Sequence, residues 1–314
     1  MSSPPMSSPS KSSPSSSSPT PPSARQPSPS TATAPVFSRA WRRTLSFGLQ
    51  TVLGIAPKGY FIPMRGAPTA LAAASRPFAT LAPVFAAARP ALSDFLAEIE
   101  AQSGSLAAIT GAPPEPRFGQ IWCPRLDAAA LYTLVRTRRP ARIVEVGSGH
   151  STRFLARAVR DEGLTTAITA IDPEPRADLE GLPITLLKTM VQQADAAPFA
   201  ALSAGDLLFV DSSHVMMPGT DVDHILNHVL PGLPAGVLVA FHDIFLPAPY
   251  PPAWPFTAYN EQNAIAPLLQ GRAELVWASA YVVADMAQEL GQTWIGRQPL
   301  KDGARESLIV MRLT

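Results

Sequence analysis

The 314 residues predict an α/β fold: a doubly wound, mostly parallel sheet with an antiparallel C-terminal strand pair and a helical N-terminal extension. Three observations carry this. Beyond residue 139, short apolar β-rich runs alternate with helical stretches, and their unbroken apolar content suits strands covered on both faces. The first run leads straight into Gly147-Ser148-Gly149 and a helix, a turn that offers backbone N–H groups to a ligand. Two further β-rich runs, 274–283 and 307–313, close the chain with Gly291 and Gly303 between them.

In chain order, residues 1–36 are nearly all Ser, Pro, Thr and Ala and read as a disordered tail, because no apolar run offsets the entropy of ordering them. Residues 37–138 form the helical extension, with helices expected at 41–55, 91–106 and 126–135. In the last of these Leu126, Ala130, Leu131 and Leu134 share a face, and Asp127 sits in the first turn, where the helix dipole favours an anion. Residues 139–314 form the sheet domain, with strands expected at 142–146, 167–171, 184–188, 206–210 and 236–241. Helices are expected at 151–161, 196–202 and 220–230.

Composition narrows the function. The 25 Lys and Arg nearly balance 24 Asp and Glu, yet no acid precedes Asp94, and the remainder is net acidic. That argues against a nucleic-acid groove, which needs clustered cations. Cys123 is the sole cysteine, which excludes an intrachain disulfide and a cysteine metal site. The apolar run at 41–55 is too short to span a bilayer, and a cytoplasmic location is expected. The 41–55 segment, with Trp41, Leu45, Leu49 and Val52 around Arg42-Arg43, has the character of a helix lying on a membrane surface. Packing on the main domain or a partner chain is the favoured reading, and the oligomeric state is not legible.

The chemistry concentrates in the sheet domain. Glu145-Val146-Gly147-Ser148-Gly149-His150-Ser151-Thr152 has the form of a nucleotide-type cofactor loop, although a dinucleotide site would carry a third glycine where Thr152 stands. The second strand ends in Asp172, close to the spacing at which an acid meets ribose hydroxyls. All five histidines lie between positions 150 and 242. His242 beside Asp243 is the first choice of base for a hydroxyl acceptor and His214 the second. His224 and His228 stand at i, i+4, but Ile225 replaces the glutamate of a zinc-protease helix, so they read as a solvated face. The Pro-stiffened 247–255 loop, with Tyr250 and Trp254, reads as a lid or acceptor wall, and Asn260-Glu261-Gln262 as acceptor-reading groups or a helix cap.

Val144-Glu145-Val146-Gly147-Ser148-Gly149, then Ile171-Asp172, Phe209-Val210-Asp211 and Phe241-His242-Asp243 together resemble a class I S-adenosylmethionine-dependent methyltransferase of Rossmann-like fold. Within that superfamily, Asp211-Ser212-Ser213-His214 and His242-Asp243 resemble a bacterial group with Asp-x-x-His after the fourth strand and His-Asp after the fifth. Pro124 to Ala130 and Asn260-Glu261-Gln262 fit the same group. The resemblance implies that Glu145, Gly147, Gly149 and the backbone around His150, with Ser148 and Ser151 in the same loop, hold the methionine part of the cofactor. It further implies that Asp172 takes the ribose hydroxyls, that Gln192 lines the adenine pocket, and that Asp211 lies near the cofactor's amino group or the acceptor. Related O-methyltransferases hold magnesium with an Asp after the fourth strand and an acidic or amide pair after the fifth. Asp211 and Asp243 match two of those places and Ile244 occupies the third, so no metal ligand is assigned and magnesium stays a secondary option. The implied activity is methyl transfer to a small-molecule acceptor, at oxygen. The alternative is a non-catalytic cofactor-binding protein acting as a membrane-surface or partner-binding module.

Overall fold

The computed structural model describes residues 39–60, 62–252 and 259–314; the expected 1–36 tail and part of the 247–255 loop lie outside the described residues. The chain divides into two compact units, Met1–Pro63 and Met64–Thr314. In the first, α1 (Arg39–Val52) is strongly amphipathic, and the chain after it folds back so that the Lys58 N–H donates to Thr51 Oγ1 at 3.0 Å. None of the described helices is long and apolar enough to cross a membrane.

The second unit opens with α2 (Ala67–Ala73), α3 (Ala82–Ala101), α4 (Ser103–Ala107) and α5 (Arg125–Arg138). Pro83 begins α3 within the first turn, where the missing N–H costs nothing. The sheet follows as β1 (Arg142–Val146), β2 (Ala167–Ile171), β3 (Thr185–Leu187), β4 (Leu207–Val210) and β5 (Leu238–Phe241). Between them stand α6 (His150–Asp161), α7 (Ala197–Ala200) and α8 (Asp221–His224). After β5 come α9 (Glu261–Ile265), β6 (Ala273–Ala278), α10 (Ser279–Asp285), α11 (Ala287–Gln292), α12 (Trp294–Arg297) and β7 (Ile309–Leu313).

The seven strands lie in the order β3-β2-β1-β4-β5-β7-β6; the first five are parallel and β7 runs antiparallel to both neighbours. Both faces are covered, as the apolar strands require. Leu207 and Phe209 point into a core shared with Phe95, Leu131 and Phe154, whereas Leu208 and Val210 point into a second core with Phe85, Val229 and Ile265. Helices α3 and α5 therefore pack in the same core as the sheet. The strand order reverses between β1 and β4, and a crevice opens beyond their carboxyl ends.

Three expectations need correction. The 274–283 strand ends at Ala278, because its partner ends at Ile309, paired with Ala278, and an unpaired extension would leave backbone groups unsatisfied. Residues from Ser279 turn into α10 instead; α11 runs through Gly291, and α12 lies between Gly291 and Gly303. The 220–230 helix holds only one α-turn before passing into a π-turn at Ile225–Val229 ahead of Pro231. The 91–106 helix is two elements, α3 starting earlier at Ala82 and α4 after a break at Gln102.

Candidate active site

The crevice is built from the loop after β1. Gly147 has φ +81, and a Cβ there would lie 1.9 Å from the Asp211 carbonyl oxygen, so only glycine lets the β1 and β4 loops cross this closely. Thr152, fully buried, accepts the Gly149 N–H through Oγ1 at 2.9 Å, which gives a structural reason for threonine at that position. Asp172 Oδ2 accepts from the Ser148 N–H at 2.6 Å and from Ser148 Oγ at 3.2 Å, while Oδ1 accepts the Glu174 N–H at 2.7 Å.

Three cavities meet here. The largest, about 490 Å³, is lined by Gly147, Asp172, Glu174, Met190 and Val191 among others. A polar one of about 40 Å³ lies at the N-terminus of α6, against Ser148, Gly149, His150 and Ser151. The third, about 190 Å³, is lined by Trp122, His214, His242, Asp243, Tyr259 and Arg305. Asp211 and Arg176 border all three. The Arg176 guanidinium lies 4.3 Å from the centre of the Trp122 ring, which holds it at the junction.

The floor of the third cavity consists of two imidazole–carboxylate dyads. His214 Nδ1 sits 2.9 Å from Glu261 Oε2, and its Nε2 lies 3.3 Å from Asp211 Oδ1 and 3.4 Å from Asp243 Oδ2. His242 Nε2 sits 3.0 Å from Asp127 Oδ2, and its Nδ1 lies 3.4 Å from Asp243 Oδ1 and 3.7 Å from Asp211 Oδ1. Burial alone would lower both imidazole pKa values. The surrounding carboxylates outweigh it, pushing His214 up to about 10 and His242 well above its usual range. Burial works against ionised Asp243, but the His242 hydrogen bond and charge hold its carboxyl below the ordinary value. His214 and Asp243 adopt left-handed backbone conformations, φ +60 and +57, uncommon for non-glycine residues.

Residues 144–244 match the family model described as a methyltransferase domain. This segment resembles a methyltransferase domain. Among solved structures, the chain is similar to an SAH-bound methyltransferase of Podospora anserina (17% identity, 82% of this chain and 99% of that one, TM-score 0.38). It is also similar to an O-methyltransferase from Bacillus cereus (13%, 70% and 91%, 0.36) and to the O-methyltransferase TomG from Streptomyces achromogenes (17%, 70% and 89%, 0.35). No curated protein matches.

Within this segment, Gly147, Ser148, Gly149, His150, Ser151, Asp172 and Asp211 line the first two cavities, and His214, His242 and Asp243 the third. Two expected residues stand elsewhere. Glu145 is fully buried behind the loop, where Oε1 accepts from Ser151 Oγ at 2.6 Å; burial pushes its carboxyl up to about 8 against the opposing pull of Ser151 and Thr152. Gln192 does not line the large cavity, because its amide donates to the Gly219 carbonyl at 3.0 Å; Met190 and Val191 form that wall. His224 and His228, with ring centres 5.6 Å apart, border a separate cavity of about 260 Å³.

Asn260 and Gln262 brace the site. Asn260 Oδ1 accepts the Met216 N–H at 2.7 Å and Gln262 Oε1 accepts the Phe245 N–H at 3.0 Å, so they tie down the loops after β4 and β5. Sequence reasoning missed Glu261 and Asp127 as imidazole partners, and Trp122, Arg176 and Arg305 as cavity walls. A signal was available for Asp127: a lone acid inside Leu126 to Leu131, which the structure shows fully buried and accepting the Ser307 and Leu308 N–H groups.

The residues present fit the cofactor and can accommodate a metal ion. His150 Nδ1 is buried with no hydrogen-bond partner beside the small polar cavity, and burial with Arg153 and Arg117 pushes its pKa down to about 4; a carboxylate at the α6 N-terminus would supply the missing partner. Single ligand atoms of Asp211, His214 and Asp243 lie within 4.8 Å of one another and could hold a divalent ion. The imidazole nitrogen suits a borderline transition metal better than magnesium, which prefers oxygen.

Proposed function

We propose that the domain methylates a hydroxyl oxygen of a small-molecule acceptor. The observation that carries this reading is the meeting of the three cavities at Asp211 and Arg176, which puts a cofactor-sized space and an imidazole–carboxylate floor on one junction. S-adenosylmethionine supplies an electrophilic methyl group bound to a sulfonium. On this side of the reaction, Asp172 faces the large cavity to take ribose hydroxyls, Met190 and Val191 form an apolar wall for adenine, and the α6 N-terminus with His150 takes the carboxylate.

The third cavity orients the acceptor between Trp122 and Tyr259 over the carboxylates. Asp211 and Asp243 are the most open of the four floor residues, with side chains 26% and 15% exposed against 4% for each histidine. The carboxylate pair accepts a hydrogen bond from the acceptor hydroxyl and aims its oxygen toward the cofactor space. His214 and His242, held by Glu261 and Asp127, fix the two carboxylates and offset their mutual repulsion. Proximity and alignment supply most of the acceleration. The assay is formation of S-adenosylhomocysteine with phenolic, catecholic and sugar acceptors, with and without divalent ions. Asp243→Asn and His242→Gln, which border only the third cavity, are expected to lower turnover about 100-fold or more and leave cofactor affinity unchanged. Full turnover in both variants would contradict the role given to the floor.

A further inference from the structure

We propose that the described residues from Arg42 to Ile62 form a binding surface for an anionic lipid bilayer. Leu45, Leu49 and Val52 follow one another at helical spacing on α1 and are 46%, 51% and 56% exposed. Beyond the helix Leu53, Ile55 and Ile62 are each more than half exposed as well. Of the fourteen large apolar side chains exposed among the described residues, eight fall in this short segment, a concentration that water alone does not favour.

Charge identifies what covers it. Arg42 and Arg43 flank or oppose the apolar stripe and Lys58 lies on the returning chain; among the described residues none of the three is paired with a carboxylate. The first 93 residues contain no Asp or Glu at all. An apolar stripe set among unpaired cations matches the interface of a bilayer carrying anionic headgroups, where each Lys or Arg adds attraction and the apolar side chains enter the acyl boundary. The 14 residues of α1 reach only about 21 Å, short of a hydrocarbon core of about 30 Å, so the helix lies on the surface and does not span it. A second copy of the segment would bring like charge against like.

The test is co-sedimentation of the full chain with vesicles of phosphatidylcholine alone and of phosphatidylcholine with about 30% phosphatidylglycerol. Binding to the anionic vesicles only, reversed by about 0.5 M salt, is the expected result. Arg42→Gln with Arg43→Gln should weaken it about 30-fold, and Leu49→Asp with Val52→Asp should abolish it, with cofactor affinity unchanged in both. Equal binding to both vesicle types, binding insensitive to the variants, or no vesicle binding would overturn the proposal. In the last case, lipid-free self-association lost in Leu49→Asp with Val52→Asp would assign the surface to a second copy.

Discussion

At Gly147 the backbone leaves no room for a side chain, since any Cβ meets the Asp211 carbonyl. Gly147→Ala is therefore expected to destabilise the fold by at least ~2 kcal/mol and to remove cofactor binding, as seen by denaturant unfolding and calorimetry. Asp172 is the residue most exposed to a functional test. Loss of charge-assisted hydrogen bonds to the ribose should weaken cofactor affinity about 10- to 100-fold in Asp172→Ala; unchanged affinity would remove its assignment. Glu145 makes a prediction about pH. Its carboxyl titrates near 8 in the fold against an ordinary 4.5, so the folded state holds a proton the unfolded chain has released. Its contribution is present below the ordinary value and lost as pH rises through about 8. Glu145→Gln should flatten the fall of thermal midpoint across that window, and an identical pH profile in the variant would show that Glu145 is ionised in the fold.

At the scale of elements, the start of α5 is clamped to the chain leading into β7. Arg125 Nε donates to Glu306 Oε1 at 2.9 Å, with the carboxylate side chain 1% exposed, and the same oxygen accepts the Leu126 N–H at 3.1 Å. This clamp sets Asp127 beneath His242. Glu306→Ala leaves the part-buried Arg125 without its carboxylate and the Leu126 N–H without that acceptor, and is expected to cost about 2 kcal/mol in denaturant unfolding; a loss within error would show that the pair contributes nothing. The strands and the glycine turn were legible in the sequence because period, apolar content and Gly147 act locally. The dyads were not legible. Glu261 reaches His214 across 47 positions and Asp127 reaches His242 across 115, and nothing local in the sequence signals such pairings. The end of β6 was hidden for the same reason, since the reach of its partner strand decides it.

At the scale of the molecule, the order of the strands puts the glycine loop after β1, Asp172 after β2 and the dyad histidines after β4 and β5 along one edge of the sheet. Residues before Met64 belong to a separate compact unit. A chain starting at Met64 is expected to keep the thermal midpoint and cofactor affinity of the whole protein; loss of either would show that the site depends on the first unit. The central claim is that the sheet edge binds S-adenosylmethionine through Asp172. Calorimetric titration of the full chain and of Asp172→Ala with S-adenosylmethionine and NAD in parallel tests it most directly. Saturable binding of S-adenosylmethionine alone, weakened in the variant, is the predicted result, and binding of NAD alone, or of neither, would contradict it.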